Sequence, residues 1–244
     1  MPTPRFYCPI LLEPGRYVGL PANAATHACR VLRLRAGDAI TLFNGDGHDY
    51  ACRLSEVGKN AASAEVLARS AVNRESPLRI MLAQAISAGE RMDFTIQKAV
   101  ELGVAAIQPI ASQRSVVKLA GERADKRREH WQNVAHAACE QSGRAVVPQV
   151  AAPLAFANWL AALPPHGLRL TLSPEAAMSL PQLPPPTGEI CLLVGPEGGL
   201  TPEEIDLAAS HGFTPVRLGP RILRTETAAL ATLATIQTLW GDFA

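Results

Sequence analysis

The sequence predicts an α/β protein in which a parallel sheet flanked by helices follows a small barrel-like β domain. Three observations carry this expectation. The first 70 residues hold short strand-like runs between turn residues, with one short helical stretch among them. From residue 78 onward apolar strand runs alternate with stretches of helical spacing, the pattern of a parallel sheet. Between the two, Ser-Ala-Val-Asn-Arg-Glu-Ser-Pro at 70–77 has linker composition. The predicted domains are therefore 1–70 and 78–244, joined by a linker at 71–77.

In chain order, Asn23 is a candidate cap for a short helix through Arg35, with Gly37 just past its end. Asn44-Gly45-Asp46-Gly47 between Ala39–Phe43 and Asp49–Leu54 signals a hairpin, since an Asn-Gly tip suits the left-handed turn that joins twisted strands. Turn residues at Gly58-Lys59-Asn60 precede a further apolar run at Ala64–Leu67. Leu78–Ile86 reads as a buried strand. Glu90–Leu102 carries Met92, Ile96, Ala99 and Val100 at helical spacing, with Gly103 as a stop. Strands are expected at Ala105–Ile110, Leu168–Leu172, Ile190–Val194 and Pro215–Leu218. Helices are expected at Ala124–Ser142, Phe156–Leu163, Thr201–Ser210 and about Glu226 to Leu239. Thr201, Pro202 and Glu204 make a capping box with a first-turn proline. Pro181–Pro186 reads as a loop.

Of the 244 residues 48% are hydrophobic and 18% charged, ordinary for a globular chain. Apolar runs fall far short of the roughly 20 residues that cross a bilayer. No apolar stretch follows the N-terminal Met-Pro-Thr-Pro-Arg, so no signal peptide is expected, and the location follows as cytoplasmic. The five cysteines form no C-x-x-C pair and the six histidines no H-E-x-x-H, so neither a disulfide framework nor a metal site is expected. The formal net charge of +1 is unevenly spread: +2 over 1–72, +3 over 73–149 and −4 over 150–244. That asymmetry suggests a polyanion meeting the first two-thirds of the chain.

Four stretches at element ends draw attention. Leu193-Val-Gly-Pro-Glu-Gly-Gly-Leu200 carries a buried strand through a glycine-rich turn into a helix, the place where open α/β sheets hold ligands. It is not a Walker loop, and the chain has neither G-x-G-x-x-G nor G-x-S-x-G. In Leu218-Gly-Pro-Arg-Ile-Leu-Arg-Thr-Glu-Thr-Ala228, Thr225 suits an N-cap and Glu226 the positive helix end. Arg221 and Arg224 do not suit that end and call for an anionic partner. Gln113-Arg-Ser-Val-Val-Lys118 and Glu140-Gln-Ser-Gly-Arg144 close the set.

Together these motifs resemble those of the RsmE-type 16S rRNA (uracil-N3)-methyltransferases of the SPOUT superfamily. Gly195–Gly199 and Leu218–Ala228 carry most of the likeness. Arg114–Lys118, Glu140–Arg144, Val147-Pro148, His27–Arg33 and Gly37-Asp38 extend it over nearly the whole chain. Gln113 departs from it, because some members carry an acidic residue before the arginine. The resemblance implies a PUA-like β-barrel, then a SPOUT-type parallel sheet with a C-terminal trefoil knot, a homodimer, and 16S rRNA, within the small ribosomal subunit, as the substrate. It implies S-adenosyl-L-methionine as methyl donor, with no metal and no membrane partner. By the motif match, Gly195, Pro196, Glu197, Gly198, Gly199, Leu218, Gly219, Ile222 and Leu223 would contact the adenosine. Thr227 and Ala228 would border the methionine portion, with Leu172-Ser-Pro-Glu175, at another strand end, as a further wall.

The expected chemistry is transfer of the activated methyl to uracil N3 once its proton has left. Arg224, with Arg114, would stabilise the resulting anion or an adjacent phosphate, and Glu226 is a candidate base as well as a helix-start residue. Arg5, Arg30, Arg33, Arg35, Lys118, Arg144 and Arg221 are candidate RNA contacts. The alternatives are a knotted methyltransferase acting on a ribose 2′-hydroxyl and a non-catalytic RNA-binding assembly factor.

Overall fold

The computed structural model describes residues 3–116, 121–164 and 167–243. Contacts divide the chain into two units, Met1–Glu75 with His136–Val147, and Ser76–Ala135 with Pro148–Ala244.

The first unit is built on one five-stranded sheet. Strands β1 (Arg5–Tyr7), β2 (Tyr17–Gly19), β3 (Ala39–Phe43), β4 (His48–Val57) and β5 (Ala62–Ala71) lie in the order β1-β3-β4-β5-β2. β1 runs parallel to β3 and the remaining pairs are antiparallel. The hairpin joins β3 to β4 at the Asn-Gly tip, where Asp46 accepts a hydrogen bond of 2.7 Å from the Tyr50 hydroxyl. Tyr50, Cys52 and Leu54 alternate inward along β4 and meet Phe6, Ile40, Leu42 and Val66 in the core. The helical stretch differs from its sequence reading. α1 (Ala22–Thr26) starts after Pro21, not Asn23, and a π-helical turn at His27–Val31 ends the helix well before Arg35. Arg33 follows with a φ of 54°, a left-handed conformation in which no right-handed helix continues.

Residues 136–147 pack with this unit, although the sequence assigned them to the α/β part. Side-chain chemistry supplies the reason. The His136 ring stacks on Tyr7 at 3.9 Å between centroids, and Glu140 accepts a 2.9 Å hydrogen bond from the Tyr7 amide. Arg5 lies over the Phe43 ring and donates to Asp49 and the Cys139 carbonyl. Arg144 is buried and pairs with Glu75, its Nε at 3.0 Å. Two guanidinium groups expected to meet RNA phosphates are thus turned inward.

Burial pushes the His136 imidazole down from the ordinary 6.5 to about 4. The folded state holds this ring neutral in a range where the unfolded chain binds a proton, so stability falls as pH drops from 6.5 towards 4 and is unaffected by this group above that window. His136→Phe keeps an aromatic ring against Tyr7 and removes the titration. The melting temperature of the wild type is expected to fall more steeply over that interval than that of the variant. Equal slopes would refute the assignment.

The second unit alternates strand and helix. Its sheet contains β6 (Ile80–Ala85), β7 (Ala106–Ala111), β8 (Gln149–Val150), β9 (Leu154–Ala155), β10 (Leu168–Leu172), β11 (Ile190–Val194) and β12 (Thr214–Val216). Every pairing is parallel, in the order β12-β10-β11-β6-β7-β8, with β9 also on β7. All five residues of β11 are buried, as expected for a central strand covered on both faces. The helices are α2 (Glu90–Glu101), α3 (Glu122–Ser142, whose last residues belong to the first unit), α4 (Phe156–Ala161), α5 (Pro202–Ser210) and α6 (Thr225–Trp240). Phe156, Trp159 and Leu160 of α4 pack with Ala208 of α5, Phe213, Leu193 and Ala83. The apolar α6 packs on α2 and β11. Its buried Gln237 donates to the Leu102 carbonyl at 2.9 Å and accepts from Ser76 at 2.8 Å. Among the described residues no helix is long and apolar enough to cross a membrane, and no group of three or more His, Cys, Asp or Glu could hold a metal.

Candidate active site

The strand order reverses around β11 and β6, and in open α/β sheets ligands bind beyond the carboxyl ends of strands at such a reversal. A cavity of about 330 Å³ lies to one side of that reversal, at the ends of β10, β11 and β12. It is bounded by Leu172–Pro174 after β10, by Val194–Leu200 after β11, and by Val216, Leu218 and Gly219 after β12. Arg221, Ile222, Leu223, Thr225 and Ala228 close it from the approach to α6 and its first turn, with Ile205 from α5. The family resemblance implies that the 195–199 and 218–228 segments meet one donor, and the sheet sets them against one space.

The turn after β11 owes its shape to two glycines. Gly199 has a φ of 70° and donates its amide to the Pro196 carbonyl at 2.9 Å. At Gly195 a Cβ would lie 3.0 Å from the Leu200 amide nitrogen and 3.2 Å from the Gly199 carbonyl carbon, so any larger residue would push the turn open by a few tenths of an ångström.

Side chains from four directions hold that turn. Thr201 caps α5, and Glu204 completes the box at 3.0 Å from the Thr201 amide. The other Glu204 oxygen accepts from the Gln113 amide at 2.8 Å, which ties the segment after β7 to the turn. Arg114 donates to the Gly198 carbonyl at 2.8 Å. Glu197 accepts from the Ala88 amide at 3.0 Å and from Arg91 at 2.8 Å. Burial alone would raise the Glu197 carboxyl, but hydrogen bonds from main-chain amides and Arg91 outweigh it and hold the group below its ordinary value. The group therefore stays ionised, with Arg91 as its counter-charge.

Where α6 begins, the structure corrects the expected cap. Arg224 occupies the N-cap position without a side-chain cap bond, and Thr225 is the first helical residue. The Thr225 hydroxyl donates instead to the Gly195 carbonyl at 2.6 Å and accepts from Gln84 Nε2 at 2.9 Å. Arg224 and Arg221 are exposed, Ile222 is 86% exposed, and Glu226 Oε2 is buried with no hydrogen-bond partner among the described residues. Thr227, expected beside the donor, is exposed and does not line the cavity. Of the remaining expected RNA contacts, Arg30, Arg33 and Arg35 are exposed in the first unit, and Lys118 lies outside the described residues. Leu172, Ser173 and Pro174 line the cavity, as the wall expected at 172–175 would, whereas sequence reasoning passed over Val194, Leu200, Ile205, Val216 and Thr225 as lining residues, and over Gln84. Gln84 did leave a signal, since it is the lone polar side chain in the apolar run Ile80–Ala85.

A model of the RNA methyltransferase domain matches residues 74–237, and one of the RNA methyltransferase PUA domain matches residues 20–67. A ribosomal RNA small subunit methyltransferase E from Buchnera aphidicola is 33% identical over 98% of this chain and 97% of its own. The chain belongs to this methyltransferase E family. The family member from Bacillus subtilis is 36% identical over 92% of this chain and 91% of its own. A solved family member from Neisseria gonorrhoeae, bound to S-adenosyl methionine, superposes with a TM-score of 0.92 at 47% identity, covering 99% of this chain and 100% of its own. A Legionella pneumophila protein solved with the cofactor SAM bound gives a TM-score of 0.96 at 40% identity, covering 100% of both chains. Family membership thus accounts for an α/β unit with a parallel sheet behind a small PUA-like β domain.

Proposed function

We propose that this enzyme methylates N3 of a uridine in 16S ribosomal RNA, with S-adenosyl-L-methionine held in the cavity beyond β10, β11 and β12. The observation that carries the reading is one cavity, of a size suited to a small cofactor, whose walls are the two segments that carry the family likeness. Its character fits the donor. Apolar side chains such as Leu172, Val194, Ile205 and Leu223 offer a surface for a base, and the glycine turn brings main-chain atoms to the cavity wall. Bound there, the donor supplies a methyl on a sulfonium, and the methyl passes to N3 as the N–C bond forms and the S–C bond breaks.

The chain's own groups then have three tasks. Arg114 spends a guanidinium N–H on the Gly198 carbonyl and so holds the turn; this favours a wall role for it over contact with the reacting base. Arg224 is exposed between two lining residues and stabilises the uracil anion as charge develops on its oxygens. Glu226 does not line the cavity, and its Oε2 is buried without a hydrogen-bond partner among the described residues; it takes the N3 proton only if its side chain turns towards the base. Arg30, Arg33 and Arg35 serve the RNA backbone, which makes binding salt-sensitive.

The same reading extends to the rest of the family likeness. It includes a trefoil knot at the C-terminus, supported by the order β12-β10-β11 and the return of α6 onto β11. It includes a homodimer, supported by the bare apolar side chains of Ile222 and Val116, 86% and 75% exposed, and a cytoplasmic location. The test uses small ribosomal subunits from a strain lacking the protein, incubated with the enzyme and isotopically labelled S-adenosylmethionine. Mass spectrometry of the digested RNA should place the label on uracil N3. Label on a ribose hydroxyl, or no transfer at all, would reject the assignment.

A further inference from the structure

Gln84 is the last residue but one of β6, fully buried, and does not line the cavity. Its Nε2 donates to the Ala85 carbonyl at 3.0 Å and to the Thr225 hydroxyl at 2.9 Å. The carbonyl fixes which way the amide faces, because only the NH2 end can meet an acceptor. The Thr225 hydroxyl must then accept from Gln84, which leaves its one proton for the Gly195 carbonyl 2.6 Å away. The result is a directed relay from β6, through the first residue of α6, to the first residue of the glycine turn. Gln84 Oε1 is buried with no hydrogen-bond partner among the described residues, a cost that an apolar side chain at this position would avoid.

We propose that Gln84 is a positioning residue for the methyl donor: by orienting the Thr225 hydroxyl it pins the Gly195 carbonyl to the start of α6 and holds the two cavity walls at their working separation. The inference rests on the reading that the donor occupies this cavity. Both walls are loops leaving different strands, and the relay joins them directly. Without it Gly195 loses its tie to Thr225, and the turn loses a constraint that Arg114 supplies only at its far end.

The test is calorimetry with S-adenosylhomocysteine on the full chain, paired with steady-state kinetics. Gln84→Met keeps length and volume but removes the donor, and Thr225→Val keeps shape but removes the hydroxyl. Each is expected to weaken binding by roughly tenfold. The double variant should bind no more weakly than either single one, since both break the same relay. Thr225→Ser should recover most of the loss. KM for S-adenosylmethionine should rise with kcat at saturation little changed, a split that general destabilisation would not produce. If Gln84→Met folds poorly, Gln84→Leu asks the same question, because it too leaves nothing to donate to Thr225; its effect should vanish in a Thr225→Val background. Wild-type affinity in Gln84→Met, or losses that multiply in the double variant, would overturn the proposal while leaving the cavity assignment intact. Failure of the wild type itself to bind the probe would overturn both.

Discussion

Replacing Arg224 by alanine is expected to lower turnover on small ribosomal subunits by on the order of 10²–10³-fold while leaving affinity for S-adenosylhomocysteine within about threefold. The asymmetry follows from position. Arg224 contributes its backbone carbonyl to the first turn of α6, where it accepts from the Ala228 amide, and that role survives in alanine. Its side chain makes no cap bond and is exposed, so its removal leaves the cavity walls as they are. What is lost is a cation where the uracil ring would gain negative charge. A cation at a helix N-terminus is electrostatically costly, and the cost is offset only when an anion arrives. Single-turnover measurements separate the terms. Equal loss of donor affinity and turnover would show that Arg224 shapes the cavity instead, and retention of both would remove it from the mechanism. Arg224→Lys should restore only part of the rate, because an ammonium cannot present a planar pair of N–H groups to two acceptors.

Gly195→Ala should act in the opposite way and abolish most donor binding. A Cβ at 3.0 Å from the Leu200 nitrogen and 3.2 Å from the Gly199 carbonyl carbon meets main-chain atoms of the same turn, which have no rotamer by which to move aside. Overpacking of this kind costs about 1–3 kcal/mol, or roughly tenfold to hundredfold in dissociation constant if the turn opens to relieve it. Gly199→Ala makes an informative control. There the added methyl meets open space, and the penalty is the left-handed φ of 70°, about 1–2 kcal/mol, in the turn itself. Calorimetry on both variants should rank Gly195→Ala as the more damaging for binding. The reverse ranking would mean that turn conformation, not close approach, governs the site.

Much of the architecture was legible because it is local. Helix α2 was visible as Met92, Ile96, Ala99 and Val100 at helical spacing, and all four are buried. The box of Thr201 and Glu204 announced the start of α5, and the hydrogen bonds at 3.0 and 3.2 Å are those that the pattern requires. Illegible features were those that depend on partners distant in sequence. Strand β1 spans only Arg5–Tyr7 and exists because it pairs with β3 more than thirty residues later. Glu140 and Arg144 looked like site residues on a helix end, yet their partners are Tyr7 and Glu75. Thr225 had the chemistry of a cap, and a nearby carbonyl from another strand's turn claimed the hydroxyl instead.

The amino-acid order by itself determined the alternation of strands and helices, the glycine turn after β11 and the arginine-bearing approach to α6, because these depend on neighbours within a few residues. The tertiary structure alone decided which side chains line the cavity between the glycine turn and the start of α6, that Gln84 reaches Thr225 across 141 positions, and that Arg5 and Arg144 turn inward. Hydrogen bonds and ion pairs act over a few ångströms. Which groups come within that range is set by the pairing of strands far apart in the chain, and no local pattern encodes it.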